Sequence, residues 1–405
     1  LPIALSVYGS PNNHLFHTLL VHTIWAVAGD RPALLRIPAL VAGVLLIPAT
    51  YALAPRAKHV AAAVVATLPI LIDYSTIARG YTIVALCVIV SMIAGARALR
   101  DGNRAAWLVV AIAWAIGFWT IPVMLFGSGF VFVWLLAQAR SARLRELLIT
   151  TIGAAVLTLL LYAPVLVVSG ASSLVSNAYV KAQSARGMFD RDDGLAAIFR
   201  MMTEGLPLWL AIALSVCVIA GIVMTIKEWP PLWIGVPLFI IPALAILHVW
   251  PYRRTWLFLV PIAICTAGLR PAAPAASSRR SIIIAMIVAL SLAAYDIHTD
   301  SVWFSTETGS YRDAEGTTFF LASHLRDGDA VVATVPTDVP LLYTFARHGL
   351  PQTWFTDPRR SARCWIVVNA NGPSLNEMLA RFGIAPRTMQ RVRATESGEV
   401  FLAVR

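Results

Sequence analysis

Apolar residues along the chain fall into long blocks separated by short polar connections, without the alternation of a surface helix or a half-buried strand. The blocks run Ala33–Ala54, Val60–Ile72, Ala78–Ala98, Ala105–Trp119, Ile121–Ala139, Leu147–Val168, Pro207–Ile226, Pro231–Leu247, Trp256–Leu269 and Ser281–Ala294. Many hold roughly 16 to 22 residues, the helical length that crosses about 30 Å of hydrocarbon. The predicted fold is therefore a polytopic α-helical membrane protein of about ten spans. Asn12–Ala28 is also fairly apolar, but a crossing there would break the orientation that the basic connections impose. It is expected to be an interfacial helix on the outer surface, with His14, His17 and His22 as polar positions within one broad arc.

After Asp296 the pattern changes to short apolar runs among charged residues. Tyr311–Leu325, Val339–His348 and Ser374–Phe382 have helical spacing, whereas Ala330–Val335, Cys364–Asn369 and Glu399–Val404 are strand-like. Strands alternating with helices predict a small C-terminal α/β domain. The expected organisation is residues 1–32 as an outer-face loop with the interfacial helix, 33–296 as the transmembrane helical domain, and 297–405 as an extracytoplasmic α/β domain.

Composition agrees with membrane insertion: 58% of the 405 residues are hydrophobic and 13% charged, with a mean hydropathy of +0.73, too little polar surface for a soluble globule. The net charge of +11 would suggest nucleic acid in a soluble domain. Here the basic residues sit in alternate connections, at Arg56/Lys58, Arg97/Arg100/Arg104, Arg140/Arg143/Arg145, Lys227 and Arg270/Arg279/Arg280, which the positive-inside rule places in the cytoplasm. No nucleic-acid partner is expected. The Asp73–Arg79 turn, the Ser169–Gly205 loop, the His248–Arg254 connection and everything after Asp296 are then outside.

The four cysteines show no CxxC, so neither a disulfide framework nor a zinc knuckle is expected. No signal peptide is read at Leu1, and no P-loop, GxGxxG or GxSxG motif is present. The chemistry-bearing residues concentrate in the outer connections. Arg79 is expected just inside a span start and Arg253/Arg254 open another, a set of forked cations suited to a phosphate. Anchoring to lipid head groups is the alternative. Asp73 is a candidate to hold an acceptor, a metal or Arg79. His14 and His17 lie one helical turn apart, a spacing compatible with a metal, although hydrogen bonding to a substrate or head group is favoured.

Tyr8-Gly-Ser-Pro-Asn-Asn-His14-Leu-Phe-His, the following Ala-Gly-Asp-Arg-Pro-Ala-Leu-Leu-Arg36-Ile-Pro, Ala78-Arg-Gly-Tyr81 and the Arg-Thr-Trp-Leu-Phe-Leu-Val-Pro261 run carry a resemblance. The chain resembles the polytopic glycosyltransferases of the GT-C superfamily, in the dolichyl-phosphate-mannose-protein mannosyltransferase-like group (glycosyltransferase family 39-like) that includes the bacterial lipid A aminoarabinose transferases. The resemblance follows the order and spacing of the membrane portion, through short motifs.

It implies an inverting membrane glycosyltransferase, moving a sugar from a polyprenyl-phosphate-linked donor to a protein, lipid or glycan acceptor on the outer face of the inner (plasma) membrane. Arg79, Arg253 and Arg254 would hold the donor phosphate, Asn12, Asn13 and His14 the sugar or phosphate, and Asp73 and Tyr81 would position them. The family's catalytic acid lies ahead of the Tyr8–His14 motif, so the base is expected upstream of Leu1, with Asp73 as the catalytic candidate within the chain. No cofactor follows from the resemblance, and a divalent metal is left open. A lipid-linked sugar transporter and a non-catalytic lipid-linked-sugar binding or assembly protein are the rival classes; the near absence of charge inside the spans speaks against the transporter.

Overall fold

The computed structural model describes residues 13–54, 57–175, 200–228, 235–247, 251–267, 278–302, 311–370 and 372–405. The chain divides into two compact units, Leu1–Ser305 and Thr306–Arg405.

The longer described helices of the first unit include α1 (Leu15–Ala28), α2 (Ile37–Leu53), α3 (Lys58–Thr67), α4 (Pro69–Thr76), α5 (Tyr81–Asp101), α6 (Arg104–Thr120), α7 (Met124–Gln138), α8 (Ser141–Val168), α9 (Leu208–Glu228) and α10 (Val236–Leu247). A 3₁₀ segment at Arg253–Phe258 leads into α11 (Leu259–Ala267), and α12 (Ser278–Thr299) follows. Among the described residues, three helices are long and apolar enough to cross a membrane alone, within α5, α8 and α12. The α3–α4 pair would make a fourth, bent by 56°. The Val60–Ile72 block is thus not one straight span: Pro69 brings no N–H and holds Leu68 extended at φ −72°, ψ 122°, which ends α3. Most of the other apolar blocks form shorter helices. The 17 residues of α2 rise only about 25 Å, a few ångströms short of a hydrocarbon core.

The most apolar window of α5 is 67% buried, against 17% for α8 and 11% for α12. α5 is therefore the axis of the unit, packed by α2, α6, α7 and the 3₁₀ segment. Glycines permit the close approach: a Cβ on Gly95 would strike Leu135 of α7, and one on Gly127 would strike Val88 of α5. α8 and α12 instead present exposed apolar rows, including Leu148, Ile152 and Leu159, and Ile283, Ile287 and Leu290. Such surfaces suit hydrocarbon rather than water.

Antiparallel packing separates two chemically distinct ends. At one, Gly102 closes α5 at φ 65°, Asn103 caps α6 by accepting from Ala105 N–H at 2.9 Å, and Trp107 Nε1 donates to Glu146 Oε2 at 2.9 Å. Arg143 pairs with the same carboxylate at 3.0 Å. These contacts bring the basic connections around Arg97–Arg104 and Arg140–Arg145 together. At the other, the Tyr162 hydroxyl donates to the Phe118 carbonyl at 2.8 Å, and Phe16 of α1 packs on Trp119, ring centroids 5.3 Å apart.

The second unit contains α13 (Ala314–His324), β1 (Ala330–Val332), α14 (Asp338–Arg347), β2 (Arg363–Asn369), α15 (Leu375–Phe382), β3 (Thr388–Thr395) and β4 (Gly398–Val404). The sheet has the order β1-β2-β4-β3, with β1 parallel to β2 and the other pairs antiparallel. Its two faces carry separate cores. Trp365, Val367 and Val400 pack with Leu321, Leu341 and Phe345 of α13 and α14, whereas Cys364, Ile366 and Ala403 pack with Met378 of α15. Ser374 and Glu377 close a capping box at the start of α15. The strand that hydrophobic patterning misses is β3, a polar edge strand.

Candidate functional site

The site is organised by the turn between α4 and α5. The Arg79 N–H closes on the Ile77 carbonyl at 2.7 Å, leaving Gly80 to start α5. Gly80 has φ −84° and ψ 10°, open to any residue, so glycine serves space rather than conformation. A Cβ there would collide with Thr120 Cγ2 and come within 3.3 Å of His14 Nδ1. That space lets the Gly80 N–H donate to His14 Nδ1 at 2.8 Å.

The bond sets the state of the histidine. With Nδ1 accepting, Nε2 of the neutral ring carries the hydrogen and is the available donor. Burial, then the charge of Arg79, then His17 and Arg254, hold His14 well below the ordinary histidine value. His17, one turn into α1, is pushed down to about 4 by burial, and its Nε2 has no hydrogen-bond partner among the described residues. Both rings are therefore neutral at pH 7. The next residue, Leu15, is fully buried against Tyr162 and Val165 of α8, which fixes His14 at the helix start.

Aromatic rings link His14 to a cation. The His14 ring meets Tyr81 edge-on with centroids 5.0 Å apart, Tyr81 meets Tyr74 at 5.5 Å, and the Arg254 guanidinium carbon lies 5.9 Å from the Tyr81 centroid and 4.8 Å from that of Tyr252. Arg254 is held there by the rest of its 3₁₀ segment: Thr255, Trp256, Leu257 and Phe258 are all buried, and Trp256 packs on Phe126 at 5.1 Å. The adjacent Arg253 points its charge elsewhere, onto Glu204 at 3.3 Å.

The structure thus brings together His14, Arg79, Tyr81 and Arg254 from three separate stretches of sequence. Two expectations change. Asp73 is not in an outer turn but inside α4 and fully buried, because the helix runs on to Thr76 and the turn occupies only residues 77–80. Arg79 is not inside a span start: it is exposed in the turn before α5. Asn13 uses its side-chain carbonyl to accept from the Thr18 hydroxyl at 2.9 Å, bracing the first turn of α1. Asn12 lies outside the described residues. Gly80, Tyr74, Tyr252, Thr120 and Glu204 were not singled out by sequence. Only Gly80 carried a local signal, as the small residue between Arg79 and Tyr81. Among the described residues there is no group of three or more His, Cys, Asp or Glu side chains placed to hold a metal.

A neutral imidazole N–H, two nearby guanidinium groups and a wall of tyrosine rings suit a ligand with an oxyanion next to a ring that is both apolar and hydroxylated. No protein-family model matches this sequence, and no curated protein does. The crystal structure of ArnT from Cupriavidus metallidurans in the apo state is similar, with a TM-score of 0.60 and 12% sequence identity over 97% of this chain and 88% of that one. This chain shares that fold: a polytopic helical membrane unit followed by a small sheet-containing unit.

Proposed function

We propose that this protein is an inverting membrane glycosyltransferase that takes its sugar from a polyprenyl-phosphate-linked donor, working at the outer face of the inner membrane. The observation that carries this reading is the Arg79–His14–Tyr81–Arg254 cluster, set at the opposite end of α5 and α6 from the basic connections. The fold shared with ArnT and the GT-C motif resemblance support it. By the positive-inside rule the basic end is cytoplasmic, which puts the cluster and the C-terminal unit outside. Nucleotide sugars are confined to the cytoplasm, whereas a lipid-linked phosphosugar presents its head group at this depth.

In displacement at the anomeric carbon, negative charge grows on the departing lipid phosphate. Arg79 and Arg254 stabilise that charge, and the His14 Nε2–H adds a neutral donor. Arg253, paired with Glu204, contributes less. Tyr81 and Tyr252 orient Arg254 through their ring faces. Asn12 and Asn13 are assigned to the sugar or phosphate, in Asn13 through the amide nitrogen that its bond to Thr18 leaves over. The acceptor must lose its proton to a carboxylate base as the bond forms. Asp73, fully buried inside α4, is assigned to positioning in this scheme.

The test uses the full chain in nanodiscs with a panel of polyprenyl-phosphate-linked hexoses and pentoses, and cell-envelope extract as acceptor source. Release of polyprenyl phosphate with sugar appearing in the acceptor, lost in Arg254→Ala, is the expected result. Saturable donor binding with no release for any donor would replace the enzyme by a binding protein, and donor passage across a sealed bilayer would replace it by a transporter.

A further inference from the structure

A second site lies in the C-terminal unit. Between α13 and the sheet is a cavity of about 510 Å³, within the usual range for small-ligand sites. Its lining combines the cations Arg326, Arg363 and Arg391 with the apolar and aromatic side chains of Phe320, Leu325 and Leu402. No carboxylate lines it among the described residues.

The sequence builds this lining from the sheet register. Trp365 of β2 is opposite Leu402 of β4, and Leu402 is opposite Gln390 of β3, so a single row crosses three strands below α13. A bulge between Arg391 and Arg393 breaks the two-residue alternation of β3, allowing Gln390, Arg391 and Val392 in succession to line one space. Trp365 is 2% exposed and its Nε1 donates to Asp329 at 2.9 Å. Asp329 also takes the Arg326 backbone N–H at 3.0 Å and lies 3.6 Å from Arg363, so this buried acid is saturated within the fold. Arg391 is paired with exposed Glu399. The Arg326 guanidinium has no hydrogen bond or ion pair among the described residues, although its backbone is pinned beside the cavity. His324 stacks on Phe320, centroids 4.4 Å apart, and extends the ring surface to solvent.

We propose that this cavity binds an anionic saccharide, a pyranose unit carrying a carboxylate or a phosphate. Guanidinium forks match either oxyanion, the volume exceeds what a bare phosphate fills, and the aromatic and aliphatic wall suits the C–H face of a sugar. This is independent of the donor reading, since no residue of the first unit takes part.

The experiment is calorimetric titration of the full chain in zwitterionic nanodiscs with trigalacturonate, mannose 6-phosphate, maltotriose, mannose, inorganic phosphate and a short single-stranded oligonucleotide. Binding of trigalacturonate or mannose 6-phosphate, at least tenfold tighter than maltotriose or mannose, is expected, and which of the two binds identifies the anion. Arg326→Ala and Arg391→Ala should each weaken it about tenfold, Arg326→Glu more, and Arg360→Ala, at an exposed position outside the lining, should leave it unchanged. Equal binding of the neutral sugars, equal loss in Arg360→Ala, or no binding of either anionic sugar would overturn the proposal. So would inorganic phosphate or the oligonucleotide binding as tightly with the same arginine dependence, since the sugar would then be irrelevant.

Discussion

Replacing Gly80 by Ala isolates the contact on which the candidate site is built. Because Gly80 already has φ −84°, alanine brings no backbone penalty, and the whole effect must be steric. The new methyl would collide with Thr120 Cγ2 and press on His14 Nδ1. Neither neighbour has somewhere to go. Thr120 is fully buried with its hydroxyl donating to the Ile116 carbonyl at 2.8 Å, and His14 is buried and tied to the Gly80 N–H. Overpacking of this kind costs about 1–3 kcal/mol, and weakening the Gly80–His14 bond adds about 1 kcal/mol. Thr120→Ser removes the colliding carbon but keeps the hydroxyl, so alone it should cost under about 1.5 kcal/mol. Combined with Gly80→Ala it should restore at least about 1 kcal/mol, a coupling that distant residues do not show. The assay is a double-mutant cycle on the detergent-purified protein, read as melting temperature and as affinity for a polyprenyl-phosphate sugar. Wild-type stability and affinity in Gly80→Ala would show that the turn opens freely. A Gly80→Ala defect that Thr120→Ser leaves untouched would show that the damage travels by another route.

Arg254→Ala should weaken donor binding ten- to a hundredfold, about 1.5–3 kcal/mol, and Arg253→Ala distinctly less because Glu204 already shares that charge; the opposite ranking in a titration would reverse the assignment. His17 is held near 4 in the folded protein against 6.5 in the unfolded chain, so both states are neutral at pH 7 and only the unfolded chain takes up the proton between those values. Stability is therefore complete above about pH 6.5 and falls by up to about 3 kcal/mol as the pH drops to about 4. His17→Gln should flatten that part of the melting profile, and a parallel wild-type profile would contradict the burial account. In a Cys217→Ser background, a thiol reagent applied from outside intact cells should label Ala78→Cys and spare Ala105→Cys, and the reverse pattern would invert the topology.

The broad architecture was legible because membrane insertion writes it in long apolar runs, and because basic connections must sort to one side. The second unit was legible for the same kind of reason: β1, β2 and β4 are apolar enough to be buried on at least one face, and α15 carries its own capping box. β3 has no such signal. It is an edge strand, Thr388–Thr395, whose residues are half-buried at most, and its place in the sheet depends on β4 rather than on its own pattern. The full length of each span was not legible either, since an apolar run does not say where a proline will stop a helix, as Pro69 does between α3 and α4.

At the site, sequence identified the ionisable groups but not their relations. Arg253 and Arg254 look equivalent as neighbours in a chain, yet a 3₁₀ segment pinned by Trp256 sends one to Glu204 and the other over Tyr252 and Tyr81. Asp73 and Arg79 look like an outer pair by spacing, but the helix runs about one turn further, to Thr76, which buries the acid and leaves the arginine exposed. The distinction follows from long-range packing: His14 meets Gly80 only because α1 is clamped by Tyr162 and Val165 of α8, and Gly80 can approach only because it lacks the Cβ whose place Thr120 takes. Three contacts between distant segments thus set which nitrogen of His14 carries its hydrogen. That choice determines whether the imidazole offers a donor or an acceptor to an anionic head group, and a linear reading of His14 contains neither.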